Sequence, residues 1–177
     1  MSVPERFDAE ATVRGFADTW KRVITDPRGF FAEMPDIGGL RDPAFFLVAC
    51  AALRALGTML VRLDMVAGVG VFVAQLIAAG LLAAILVLVA QHLFDGRAGF
   101  EPTFRAVAYA AAPTVFAWVP RLGVIAVIWS WLLIVRGLER VQGFDTTRAV
   151  LTAGIGVLVV ALALASLGGA PLALAAR

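Results

Sequence analysis

Residues 92–149 read HLFDGRAGFEPTFRAVAYAAAPTVFAWVPRLGVIAVIWSWLLIVRGLERVQGFDTTRA, and the fold turns on this stretch. Two apolar runs, residues 104–119 and 122–138, are parted only by Pro120 and Arg121, while arginines and acids flank both outer ends. Such a pattern predicts a tight helical hairpin pushed into a bilayer with its polar ends on one side. It contains few groups able to do chemistry, so it specifies location better than activity.

The rest of the chain agrees on the solvent. Its 177 residues are 61% hydrophobic, with mean hydropathy +0.90, against about 45–50% apolar residues in a typical soluble domain. Backbone groups in lipid must bond within the chain, so helices are the default. Net charge is only +2 and the 15 basic residues are scattered, which leaves no concentrated patch for nucleic acid. Cys50 stands alone in an apolar run and reads as a small core residue, with no disulfide framework and no metal cluster. The N-terminus has acids and no apolar core behind its first basic residue, so no cleavable signal peptide is expected.

Residues 8–25 place Val13, Phe16, Trp20, Val23 and Ile24 at helical spacing with charges on the other faces, an amphipathic helix too polar to cross. Asp26-Pro27 breaks it, since a residue before proline avoids helical geometry. A shorter segment carrying Phe30, Phe31 and Met34 follows. Two readings of this arm stand: an interfacial arm, with Trp20, Lys21, Arg22, Arg28, Phe30 and Phe31 at the membrane surface, or a cap folded back on its own helices.

Five spans are predicted: residues 44–60, a run over 65–94, 104–119, 122–138 and 149–167. The second exceeds one upright crossing, so it either tilts or begins late, after Gly68 and Gly70. Ala79 with Ala83 and Gly80 with Ala84 supply spacing for close helix packing. Thr103 is the expected cap of the third span, Pro113 its bend, and Trp118 an interfacial anchor, whereas Trp129 and Trp131 sit at packing depth. Gly168, Gly169 and Pro171 are expected to end the fifth span. The fold class is thus all-α, a polytopic membrane bundle of five transmembrane helices (43–168) with an amphipathic cytosolic arm (1–42) and a short tail (169–177). With the N-terminus inside, the starting side holds Arg6, Arg14, Lys21, Arg22, Arg28, Arg41, Arg97, Arg105, Arg136, Arg140 and Arg148, and the far side only Arg62, Arg121 and Arg177. The positive-inside rule therefore predicts a cytosolic N-terminus.

The candidate intramembrane residues are Arg54, Gln75, His92, Arg105, Tyr109 and Pro113. An ionisable group within a span is a functional candidate by default, although Arg54 has structural outlets in pairing or snorkelling. His92, the only histidine, sits at a helix end beside Asp95, where headgroup-level hydrogen bonding outweighs a metal or proton role. Tyr109 and Pro113 read as marks of a packed, bent helix, and Arg136 with Glu139 as an ordinary i, i+3 pair. No triad, paired-carboxylate or phosphate-loop arrangement survives, so no catalytic residue and no cofactor are assigned and an enzyme is the least favoured class.

Taken together, the segments resemble the Yip family, the Yip-one domain of Ypt/Rab-interacting integral membrane proteins, in its prokaryotic form. The likeness is carried by Trp20 with residues 26–31 (DPRGFF), by GFEPTFRAVAYAAAP over 99–113, by residues 120–123 (PRLG) and 128–130 (IWS), and by residues 137–149. It covers residues 16 to about 165. The resemblance implies a five-helix integral membrane protein with a cytosolic N-terminal region. Eukaryotic relatives are associated with small GTPases and vesicle traffic, but the long N-terminal region and the Asp-Leu-Tyr-Gly-Pro type motif of those relatives are missing here, Arg41-Asp42-Pro43-Ala44 being the nearest stretch. The resemblance therefore implies architecture more firmly than activity. The expected function is a non-catalytic membrane scaffold, or a partner- or lipid-interacting protein, with a role in membrane organisation or trafficking. Its expected location is the inner membrane of a prokaryote, and its expected partners are the bilayer, a protein on the cytosolic side and further copies of itself. The alternative is a small-solute or lipid transporter with a polar path through Arg54, Gln75, Arg105 and Tyr109.

Overall fold

The computed structural model describes residues 9–35 and 38–175. Seven α-helices follow one another: α1 (Ala9–Thr25), α2 (Pro27–Glu33), α3 (Arg41–Arg62), α4 (Met65–Leu93), α5 (Phe100–Ala110), α6 (Leu122–Gln142) and α7 (Thr146–Ala175), with a 3-10 turn at Ala112–Phe116 between α5 and α6. No strand occurs among the described residues. Among the described residues four helices are long and apolar enough to cross a membrane: α3, α4, α6 and residues Thr146–Ala163 of α7.

The junctions follow local chemistry. Asp26 caps α2, its carboxylate accepting from the Gly29 N–H at 3.0 Å, and Pro27 occupies the first helical turn, where its missing N–H costs nothing. Leu63 turns the chain in the left-handed region (φ 51°), and Asp64 accepts from the N–H groups of Val66 and Ala67. This cap starts α4 at Met65, so the helix does not wait for Gly68 and Gly70. At 29 residues it measures about 43 Å at about 1.5 Å per residue, and it must tilt in, or project beyond, a hydrocarbon layer of about 30 Å. Gly143 ends α6 at φ 67°, a conformation glycine adopts without a Cβ clash.

The third predicted span differs from its sequence reading. It begins at Phe100, four residues early, and Thr103 lies inside the helix with its hydroxyl donating back to the Gly99 carbonyl at 2.9 Å instead of capping. α5 stops at Ala110, and residues 112–116 continue as the 3-10 turn with Pro113 buried in it. A proline has no N–H to give and its ring crowds the preceding turn, so the uniform span predicted over 104–119 becomes a helix, a turn and a bend. At its far end, α7 remains helical through residues 168–171, where the glycines and Pro171 predicted a stop; one proline forfeits one hydrogen bond without forcing the chain out of the helix.

The broken segment occupies the middle of the bundle. Thr103, Arg105, Ala106, Val107, Ala108, Ala110, Ala112 and Pro113 are all buried, with α3, α4 and α6 packed around them. Small residues permit the approach: a Cβ on Gly137 of α6 would stand 2.6 Å from the Ala106 Cβ, and one on Gly156 of α7 would stand 2.6 Å from Leu86. On α4, Ala79 and Ala83 face the core as their spacing predicts, whereas Gly80 has open space over it.

Candidate functional site

Three polar clusters tie the helices together. The first closes the end of the bundle where α3 and α5 begin. Glu101 accepts from the N–H groups of Gly38 (3.1 Å) and Gly39 (2.7 Å), and the buried Arg105 donates to the Gly39 carbonyl (2.8 Å) and to Glu101 (3.2 Å). The pair thereby clasps the loop leading into α3. Gly39 has φ 77°, and a Cβ on Gly38 would press on the Arg105 guanidinium at 3.1 Å. Nearby, the buried Gln142 accepts from the Ala98 N–H at 2.9 Å and donates toward Thr103 at 3.3 Å, fastening the α4–α5 loop to the end of α6. Arg136 pairs with Glu139 at 2.8 Å as its spacing predicts, and Glu139 also accepts from Thr146 at 2.7 Å, joining α6 to α7.

The second cluster is the docked arm. The Trp20 indole N–H donates to the Ala112 carbonyl at 2.8 Å, inside the 3-10 turn. Val23, Phe31 and Met34 are buried. Phe30 meets Tyr109 edge-on at 4.9 Å, Phe46 lies tilted against Tyr109 at 5.1 Å, and Phe16 reaches Phe46 at 5.2 Å. The arm's apolar side thus lies on the bundle, with Trp20, Phe30 and Phe31 packed against protein. Lys21, Arg22 and Arg28 remain exposed. An amphipathic helix presents the same apolar face to lipid or to protein; the aromatic slot around Tyr109 and the interrupted backbone beside Pro113 decide in favour of protein here.

The third cluster lies inside the spans. Arg54 on α3 donates to the Gln75 side-chain carbonyl on α4 at 3.1 Å, Gln75 donates to the Thr114 hydroxyl at 2.9 Å, and Thr114 donates to the Ala111 carbonyl at 2.6 Å. Arg54 has no carboxylate partner among the described residues. A cation at mid-span costs on the order of 2.5–3.5 kcal/mol on insertion scales, and a neutral amide offsets only part of that. Of the sequence candidates, Arg54 and Gln75 therefore come together, and Thr114 joins them although its sequence carried no signal beyond its place after Pro113. Arg105 and Tyr109 belong to the other two clusters, so the four residues do not line one path. His92 is exposed, its ring Nδ1 2.9 Å from the Leu88 carbonyl one turn back. Trp118, partly buried near the turn at Pro120, lies over Gly57 of α3, where any Cβ would come within 2.3 Å of the indole. Trp129 is about a third exposed, and Trp131 is partly buried against the core.

Three long apolar helices packed around a broken segment, with a fourth, α7, against α4 and α6, define an integral, multi-pass helical membrane protein. The model of the Yip1 domain family matches residues 21–168, most of the chain, and the protein belongs to that family. No curated protein and no solved structure matches it. The matched region begins within α1 and takes in the docked half of the arm together with the bundle.

Proposed function

We propose that this Yip1-family protein is a non-catalytic membrane scaffold that presents the exposed basic side chains of a docked arm to an anionic lipid surface or an acidic protein face on the cytosolic side of a prokaryotic plasma membrane. The observation that carries this reading is the arm. Trp20, Val23, Phe31 and Met34 lock it to the bundle while Lys21, Arg28 and Arg22, the last paired with Glu33, stay exposed and in reach of a partner. A loose basic tail would lose ordering entropy on binding; a docked one has lost it already.

The chain crosses five times in this account, the broken segment being its third crossing. Its support is the position of the segment's ends. One end lies beside Gly39 and Gln142, and the other runs into Trp118, seated on Gly57 in the C-terminal half of α3. Eleven helical and five 3-10 residues extend about 26 Å at about 1.5 and 2.0 Å per residue. Five crossings leave the basic excess on the starting side, which is the cytosolic side by the positive-inside rule.

The test uses the full chain in nanodiscs of phosphatidylcholine, floated with vesicles of phosphatidylcholine alone or mixed with phosphatidylglycerol. Binding to the anionic vesicles should exceed binding to the neutral ones and fall when Lys21, Arg22 and Arg28 are replaced together by glutamine. Equal binding to both vesicles, with no acidic partner protein retained by the wild type and lost by the triple variant, would overturn it.

A further inference from the structure

Arg54 lines two cavities at once. One, of about 560 Å³, opens beside the turn between the 3-10 segment and α6; Arg54, Arg62 and Arg121 all line it, and no acidic residue does. The other, of about 390 Å³, lies deeper between α4, α6 and α7, and its wall is apolar apart from Arg54, Gln75, Thr114 and Ser130. Val127 borders both, so the two are neighbours across one side chain. None of the three arginines has a carboxylate partner among the described residues. A guanidinium has five N–H donors, and Arg54 commits one nitrogen, to Gln75. In the deeper cavity the Ser130 hydroxyl oxygen is buried and has no hydrogen-bond partner.

We infer that the two neighbouring cavities together hold one anionic glycerophospholipid, its phosphate seated among Arg54, Arg62 and Arg121 and an acyl chain in the deeper cavity. The charge points to the head: arginine forks match phosphate oxygens two at a time, and three cations without an acid require an anion more than a zwitterion. The apolar wall points to the tail, because a free phosphate would leave the deeper cavity unfilled. Ser130 supplies a donor where the chain's ester carbonyl enters that cavity. The relay through Gln75 and Thr114 holds Arg54 on α3 toward the site while leaving its other nitrogens free. This site involves none of the arm residues on which the scaffold reading rests, so either can fail alone.

The experiment measures thermal unfolding and native mass spectra of the full chain in a nonionic detergent, titrated with short-chain phosphatidylglycerol, with phosphatidylcholine of the same chain length, or with inorganic phosphate. Phosphatidylglycerol should raise the unfolding midpoint and remain as a single adduct, and the other two should do neither. Arg54→Gln should weaken that binding roughly tenfold or more, the loss expected from one charge-assisted contact. Should Arg54→Gln fail to fold, Arg121→Gln on the exposed turn and Ser130→Val in the cavity are the alternatives, each expected to weaken binding by a smaller factor. Equal binding of the two lipids, a shift reproduced by phosphate alone, or unchanged affinity in the variants that fold would overturn the assignment.

Discussion

Arg105 and Arg54 both stand within the bundle, one on the central broken segment and one on α3, yet their surroundings differ in kind. Arg105 has a carboxylate on its own helix and a backbone carbonyl from the loop it clasps, both met by Nη2, while its Nε is buried without a hydrogen-bond partner and almost none of the side chain reaches solvent. Arg54 has a neutral amide and an open cavity. Burial of a charge is tolerated where partners replace water, and where they do not, the site is left demanding an anion. The first arginine, neutralised by Glu101, therefore belongs to the architecture, whereas the second has no counter-charge among the described residues and faces open space.

The sharpest way to break this contrast is to remove each charge in turn. Arg105→Met should lower stability by on the order of 3 kcal/mol, since it strips charged hydrogen bonds from Gly39 and Glu101; Glu101, about a third exposed, can turn to water and trim the loss. Arg54→Met should leave stability unchanged or raise it, because the penalty for a mid-span cation disappears along with its single contact. Reversible unfolding in mixed micelles checks both, and equal losses would erase the distinction.

A smaller effect is expected at the packing that holds Arg105 in place. Gly137→Val would drive new methyls into Ala106 and toward Phe31, for a loss of about 1–3 kcal/mol by overpacking, read in the same unfolding experiment. Smaller again is Trp20→Phe, which keeps a ring near Phe116 but gives up the hydrogen bond to Ala112; about 1 kcal/mol should be lost, with faster proteolysis between α1 and α2. Least of all, Arg148→Ala removes an exposed partner of Asp145 while leaving the cap that Asp145 gives α7, and should change stability by a few tenths of a kcal/mol. A large change there would mean that exposed pairs, and not the buried clasp, secure the ends of the helices.

The contrast also explains what could be read in advance. Apolar runs bounded by charged loops declared α3, α4, α6 and α7, because lipid leaves one solution for a long apolar stretch. The Asp26-Pro27 break and the Arg136–Glu139 pair were equally legible, each being set within a turn of chain. Pro113 announced a disturbance, but its outcome, a helix ending at Ala110 and a buried 3-10 turn whose Ala112 carbonyl takes the Trp20 indole N–H, involves a partner 92 residues away in the chain. Partners distant in sequence were hidden for the same reason. Thr114 and Gln142 are neutral residues that any span may carry, and only the fold brings Thr114 to Gln75 and Gln142 to Ala98. Arg54 stood out as a charge in an apolar run; that its mate would be an amide did not.

The central claim is that the broken segment between residues 97 and 121 passes from one side of the membrane to the other. Cys50 is buried and is the only cysteine, so after Cys50→Ala single cysteines can be placed at Arg97 and at Arg121 and treated with a membrane-impermeant maleimide on intact cells. The account predicts that the Arg121→Cys chain is labelled at once and the Arg97→Cys chain only after permeabilisation. Labelling of both from the same side would contradict it, because the segment would then dip into the bilayer and return.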